Sequence, residues 1–350
     1  MAIAMMVVSV NADGLRVKIL SVRSRFSKKQ DVVVNVQYNN TNNETIYIYK
    51  WCLPDNELHD PLFKVTCNDV PVDYLGPLIK RRTQTDDDVT PLEPGKTKVT
   101  LVQLSSAYDM SKTCNYSIQY KIPTERVIFK RAQTLKTIHT EPINNRPSEI
   151  ESNNIQLTVE GRSNIQHEQG NIMNVHKRAV TSYVSCSTSQ KDQLAVAVPS
   201  ALQYASNSFN YLSTTTFSGT NRYKTWFGTY TSGNWNTLKG HYQNIKNVLS
   251  SQAITLNCGC TKSDAYAYVY PNQPYKIYLC PLFWSASTTG TDSKAGTLVH
   301  EISHFTAVAG TQDYVYGQMK CKSLAVSSSS QALMNADSHE YFTENNPALS

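Results

Sequence analysis

The stretch GTLVHEISHFTAVAGTQDYVYG, residues 296–317, decides how the second half of this chain is read. It contains the pattern HExxH, with His300, Glu301 and His304 as its fixed members. On a helix advancing about 100° per residue, Leu298, Ile302 and Phe305 share one stripe and should face a core. His300 and His304 then lie one turn apart near the opposite side, and Glu301 projects between the two faces. Two imidazoles so placed grip a single metal ion while the neighbouring carboxylate reaches its water. Asp292 or Ser293 stands where a helix cap is needed, and Gly310 lies just past the expected end.

A zinc centre that performs chemistry wants three protein ligands and an open position. The extension HExxHxxGxxH would require Gly at 307 and His at 310, but the chain has Ala307 and Gly310, so that ligand set is excluded. Two carboxylates are candidates. Glu340 belongs to a later helical stretch. Asp313 is nearer, on a loop that Gly310 can turn back towards the histidines. Tyr316 follows three residues on, where its phenol can reach a substrate carbonyl.

The rest of the chain constrains what surrounds this motif. Its 350 residues suggest about two domains. It is 40% hydrophobic and 17% charged, and no apolar run approaches the roughly 20 residues of a membrane span, so no membrane partner is expected. The formal charge of +6 is not gathered into a basic stripe or arginine-rich arm, which argues against nucleic acid. The cluster KRR at 80–82, followed by DDD at 86–88, reads as solvated surface. The opening MAIAMMVVSV reads as the trimmed remainder of a signal peptide. Eight cysteines (52, 67, 114, 186, 258, 260, 280 and 321), with CGC rather than C-x-x-C at 258–260, favour an oxidising compartment. A secreted, extracellular protein is expected.

The two halves obey different patterns. LRVKILSV, DVVVNVQYNN, ETIYIYKWCL, LFKVTCNDVPV, KTKVTLVQL and NYSIQYKI are short β-branched or aromatic runs separated by turn signals, which predicts an antiparallel sandwich over 1–140. Residues 141–178 are polar and turn-rich, with one short possible strand, IQLTVEG, and read as a linker. Lys177 and Arg178 offer an exposed basic cleavage point there. From 179 to 350 the pattern turns helical, in TSQKDQLAVAVPSALQYASNSFNYLS despite Pro199, in NWNTLKGHYQNIKNVLSS and in SSQALMNADSHEYFTENN. AYAYVYPNQPYKIYLCPLFW adds a hairpin. The fold class is α+β: a β-sandwich-like domain followed by a mainly helical one with a small sheet.

Only eight carboxylates follow Arg178: Asp192, Asp264, Asp292, Glu301, Asp313, Asp337, Glu340 and Glu344. Asp337 and Glu340 are three apart on a predicted helix and so share a face. Like charges held together destabilise a fold unless a cation joins them, and a lysine ammonium suits the pair.

HExxH followed by GTxDxxYG resembles the aspzincins, the deuterolysin-like zinc metallopeptidases. SYVSCSTSQ, RYKTWFGTY, AYVYPNQ, IYLCPLFW, TTGTDSKAGTLVHEISHFT and MNADSHEYFTENNPA are similar to the peptidyl-Lys metalloendopeptidase branch, over essentially all of 181–350. YLGPLIKR, LEPG and AYD in the first half are similar to the β-rich prosegment of secreted bacterial members, exotoxin peptidases among them. The resemblance implies a zincin fold with one Zn2+, ligands His300, His304 and Asp313, Glu301 as base and Tyr316 as donor to the transition state. It implies disulfides Cys186–Cys258 and Cys260–Cys280, leaving Cys52, Cys67, Cys114 and Cys321 open. It makes Asp337 and Glu340 the S1′ pocket for a substrate lysine, with Tyr266 as an aromatic wall, so that peptides are cut on the amino side of lysine. The first half would then be a prodomain that inhibits the enzyme until the chain is cut within 177–181, either before Lys177 or after Arg178. Two other readings stand beside this one: a peptidase with a permanent adhesive or carbohydrate-binding module, and a non-catalytic zinc-binding toxin.

Overall fold

The computed structural model describes residues 14–54, 58–128, 149–162, 181–215 and 219–350. The apolar opening and the expected processing residues Lys177 and Arg178 lie outside them. Contacts divide the chain into two units, one of residues 1–76 and 84–169 and one of residues 77–83 and 170–350.

The first unit is built of sheets. Leu15–Leu20, Val33–Asn40 and Thr97–Gln103 form an antiparallel three-stranded sheet. Cys114–Pro123 is the centre of a larger one, flanked by Phe63–Cys67 and Ile155–Val159. Ile46–Tyr49 pairs with Val89–Leu92 and Val127–Ile128. In Val33–Asn40 every second residue is buried, the period of a strand with one face on a core. That core gathers Val17, Val36, Ile48, Tyr116 and Ile118. The hydroxyls of Tyr38 and Tyr120 enter it and both donate to the carbonyl of Cys52, at 3.2 and 2.8 Å, which satisfies two otherwise costly buried groups. A disulfide joins Cys67 to Cys114 across neighbouring strands. Two strands, Glu149–Glu151 and Ile155–Val159, pair with Cys114–Pro123, so part of the segment read as linker is sheet.

The second unit carries eight helices among the described residues. α1 (Thr188–Thr214) buries Leu194, Ala197, Ala201, Ala205, Ser208 and Leu212, one stripe at helical spacing. Pro199 sits inside this helix rather than at its boundary. α1 packs on α3 (Ser232–Ser251) and on α5 (Lys294–His304). Between them in sequence come α2 (Asn221–Phe227) and α4 (Pro281–Ser285), and after them α6 (Gln318–Ser327), α7 (Ser329–Leu333) and α8 (Ala336–Glu344). No described helix is long and apolar enough to cross a membrane.

The hairpin expected in this half belongs to a five-stranded sheet. Ser182–Val184, Thr255–Asn257 and Lys276–Leu279 run parallel, and Ala265–Val269 returns antiparallel. The fifth strand, at the edge beside Ala265–Val269, is Leu78–Arg81. All four of its residues are buried. The expectation of a solvated KRR surface therefore fails at Lys80, which is 1% exposed. The basic run gave no warning, because only ion pairing with residues more than 200 positions away makes such a burial tolerable. Disulfides Cys186–Cys258 and Cys260–Cys280 tie the sheet to the start of α1 and of α4, and Cys321 is a buried thiol.

Candidate metal centre

α5 is buried at every one of its 11 residues. Ser293 caps it, its Oγ accepting from the backbone N–H of Gly296 at 2.9 Å. Glu344 of α8 holds the cap in turn: its carboxylate accepts from Ser293 N–H, Ser293 O–H and Asp292 N–H at 2.9, 2.8 and 3.2 Å. A negative charge suits this helix N-terminus, yet burial and the nearby Glu340 push the Glu344 carboxyl up to about 9. Gly296 permits the approach, since a Cβ there would collide with Glu344. The cap thus fastens α8 to the helix bearing the histidines.

His300 and His304 present perpendicular rings 4.8 Å apart. The Nδ1 atom of His304 is 2.9 Å from the carbonyl oxygen of Thr311, and that of His300 is 2.9 Å from Asp337 Oδ1. The acceptor at Nδ1 fixes the His304 tautomer and turns its Nε2 inward, while at His300 the Asp337 carboxylate stands beside Nδ1 as a charged neighbour. The two Nε2 atoms lie 3.1 and 3.4 Å from one oxygen of Asp313. Donors about 2.0–2.1 Å from a tetrahedral ion stand about 3.3 Å from each other, so the three converge as ligands of one zinc would. The Nε2 atoms and both oxygens of Glu301 are buried and hydrogen-bonded to nothing among the described residues. Buried groups of this kind are satisfied by a partner that is not protein. Burial pushes the Glu301 carboxyl well above its usual range. The donor set, two imidazoles and a carboxylate beside a second carboxylate, fits zinc with one open position.

The loop carrying Asp313 is positioned from two sides. Gly310, at φ 63°, makes the turn after α5. Asn335 receives the loop: its Oδ1 accepts from the N–H groups of Tyr314 and Val315 at 3.0 and 3.2 Å. Its Nδ2 donates to Ser338 Oγ and Cys321 Sγ. Asn335 precedes α8 and could be suspected from sequence only as a helix cap, a bond its side chain does not make.

A second acidic group adjoins the first. Asp337 and Glu340 lie on one face of α8, both within 3.3 Å of His300 Nδ1. The ammonium of Lys80 stands between them, 2.6 Å from Glu340 and 3.2 Å from Asp337. Asp292 stands 3.8 Å away, and the Tyr266 ring lies under the ammonium at 5.2 Å. Burial would discharge this lysine, but Asp337, Glu340 and Asp292 outweigh it and hold its pKa well above the ordinary value. The Gly317 N–H fixes the other oxygen of Asp337 at 2.8 Å. Tyr316 is buried, and its hydroxyl donates to the carbonyl oxygen of Ile79 at 2.7 Å.

His300, His304 and Asp313 are thus brought to one place beside Glu301, with Asp337, Glu340 and Tyr266 around a lysine next to them, and Tyr316 meets the residue before that lysine. Lys80, Thr311, Asn335 and Glu344 had no role assigned from sequence, and the local pattern around Lys80 and Glu344, a basic run and a polar helix end, does not single them out.

Residues 212–344 match the family Aspzincin_M35, described as lysine-specific metallo-endopeptidase. An extracellular protease of Aeromonas hydrophila is 40% identical over 322 residues, 91% of this chain and 89% of its own length. A peptidyl-Lys metalloendopeptidase of Armillaria mellea is 40% identical over 269 residues, 77% of this chain and 72% of its own. A solved zinc peptidase from Grifola frondosa is 51% identical, with a TM-score of 0.45, and covers 47% of this chain and 100% of its own.

Proposed function

This chain belongs to the aspzincin M35 family and is a zinc metalloendopeptidase, and from that premise we propose that it is a secreted enzyme cutting peptides on the amino side of lysine, made as a latent proenzyme. The observation that carries the specificity is the pair Asp337 and Glu340 closed around one ammonium beside His300. Two buried carboxylates repel unless a cation joins them, and the length of a lysine side chain sets that cation at this depth. A neutral or acidic residue would leave both charges unpaired, a penalty of several kcal/mol.

His300, His304 and Asp313 would hold one zinc per chain. Bound there, it supplies the Lewis acidity that makes a water nucleophilic near neutral pH. Glu301, desolvated and adjacent, takes the proton of the attacking water and delivers it to the amine that leaves. Tyr316 donates its hydroxyl to the carbonyl oxygen as negative charge develops on it. Asp337 and Glu340 bind the lysine ammonium and Tyr266 covers it. Residues 1–140, with the strands Glu149–Glu151 and Ile155–Val159 that pair into their sheet, act as the prodomain, and a cut within 177–181 separates it from the peptidase domain.

The test is a mixed peptide library digested by the chain with Glu301 intact, by Glu301→Gln, and by both after chelation, with every cut mapped by mass spectrometry. Cuts before lysine that need Glu301 and zinc are expected. Zinc-dependent cuts scattered over many residue types would refute the pocket, and no zinc-dependent cuts after release of the first half would refute the mechanism.

A further inference from the structure

The lysine that fills the acidic pocket is one of the chain's own residues, and the residue before it completes a pattern. Lys80 places its ammonium on Glu340 and Asp337, while the carbonyl of Ile79 accepts the Tyr316 hydroxyl at 2.7 Å. A peptide cut before lysine must present these two features on consecutive residues: the lysine side chain in the pocket, and the carbonyl of the preceding residue against the donor that stabilises its negative charge. Leu78–Arg81 does so while extended, paired antiparallel with Ala265–Val269 at the sheet edge. An edge strand is also where an extended peptide docks, through backbone hydrogen bonds that are indifferent to sequence. Residues 77–83 group with the second unit although the residues on both sides of them group with the first.

We propose that residues 78–81 occupy the substrate site of their own chain in substrate register, with Ile79 at P1 and Lys80 at P1′, and that this occupancy is what makes the uncut chain latent. The inference rests on the lysine-cleaving function proposed above. A buried lysine serving only as a counter-ion would explain the ion pairs, but it would not require the next carbonyl back to meet Tyr316. It also identifies the edge of Ala265–Val269 as the strand along which substrates bind.

The test measures binding in a chain that cannot cut itself. In the Glu301→Gln full-length protein, with its linker verified intact by mass spectrometry, a fluorescent lysine-containing peptide is titrated in the presence of zinc and followed by anisotropy. The same titration follows in Glu301→Gln carrying Lys80→Met or Lys80→Arg. A site occupied by its own strand binds an added peptide weakly in proportion to that occupancy. Lys80→Met should therefore tighten binding by about tenfold or more, and Lys80→Arg, which keeps a cation, by less. Equal affinities in Glu301→Gln and its Lys80→Met version would overturn the proposal. Should Lys80→Met fail to fold, the free peptide of residues 75–84 gives a second measurement on linker-cut enzyme. It should be cut at Ile79–Lys80 alone, or compete with other substrates, and should do neither with norleucine at position 80; the intact peptide doing neither overturns the register. If linker-cut enzyme cleaves other peptides before lysine while these tests fail, this inference falls and the peptidase stands. If that enzyme shows no zinc-dependent cleavage, it is the peptidase function that falls.

Discussion

The carbonyl oxygen of Thr311 lies 2.9 Å from Nδ1 of His304, and this one contact turns the opposite nitrogen of the ring towards Asp313, 3.4 Å away. The loop after α5 thus supplies both the proposed ligand Asp313 and the carbonyl that orients the proposed ligand His304. His304→Ala or Asp313→Ala should each abolish stoichiometric zinc, read by mass spectrometry of the metal in purified protein. Thr311→Val removes the hydroxyl that lies 3.3 Å from the same Nδ1, so it should weaken zinc about tenfold, as loss of a contact to a ligand ring does. Full zinc occupancy in Asp313→Ala would assign the third ligand elsewhere.

Glu301 and Tyr316 act on different atoms, and their variants should differ accordingly. Tyr316→Phe should lower kcat by about 10²–10³ with little change in KM, the usual effect of losing one donor to an oxyanion. Glu301→Gln should lower it further while zinc content stays at one per chain. A Tyr316→Phe enzyme as fast as the parent, measured on a lysine peptide after linker cleavage, would remove the tyrosine from the mechanism.

Asn335 makes four side-chain hydrogen bonds, to Tyr314, Val315, Ser338 and Cys321. Asn335→Ala strips these from two buried and two half-buried partners and should destabilise the second unit by about 2–4 kcal/mol, seen in urea unfolding. Because two of the four reach the loop after Asp313, zinc affinity should fall as well. A variant of native stability would show that the loop holds itself.

Gly296 and Glu344 are predicted to be coupled. Gly296→Ala sets a methyl group against the Glu344 carboxylate and should cost about 1–3 kcal/mol by overpacking. In a Glu344→Ala background only the 3.0 Å approach to Glu340 Cγ is left, so the same substitution should cost less, and a double-mutant cycle measures the difference. Additive effects would mean the helix cap does not depend on this approach.

Stability should also fall on mild acidification, for a reason located at His241. Its Nδ1 lies 3.0 Å from Nε2 of His339, and burial lowers the pKa of His241 from 6.5 to about 4. Burial, with the charge of His241 added to it, lowers that of His339 to about 3. The folded protein therefore keeps both rings neutral where the unfolded chain protonates them. This contribution is complete above pH 6.5 and is lost as pH falls towards about 4, up to roughly 3 kcal/mol for His241. Urea midpoints measured from pH 7.5 to 4.5 should drop, and should drop less in His241→Gln. Parallel profiles for the two proteins would place the acid sensitivity elsewhere.

Much of this molecule is legible because its signals are local. The alternation in DVVVNVQYNN becomes the strand Val33–Asn40, since a period of two can bury only one face of a sheet. The spacing of His300 and His304 places two rings on one side of α5 for the same kind of reason. Leu78–Arg81 was not legible as a strand. It is four residues long, half of it charged, and buried throughout, so it carries no alternation to read. Asn335 was equally silent, because its importance lies in whose backbone it meets.

By itself the sequence determined which residues have the chemistry: two histidines one turn apart, a carboxylate between them, and another past a glycine. It also determined the two structural patterns, since periodicity and turn residues act over a few positions. Only the tertiary structure decided that Asp313 rather than Glu340 faces both Nε2 atoms, because a ligand set is a matter of which distant atoms share one point. Only it decided that Lys80 is buried among Asp337, Glu340 and Asp292. A charge run next to other charges looks solvated in any local window, and its burial is tolerable only once the fold brings opposite charges to it from more than 200 residues away.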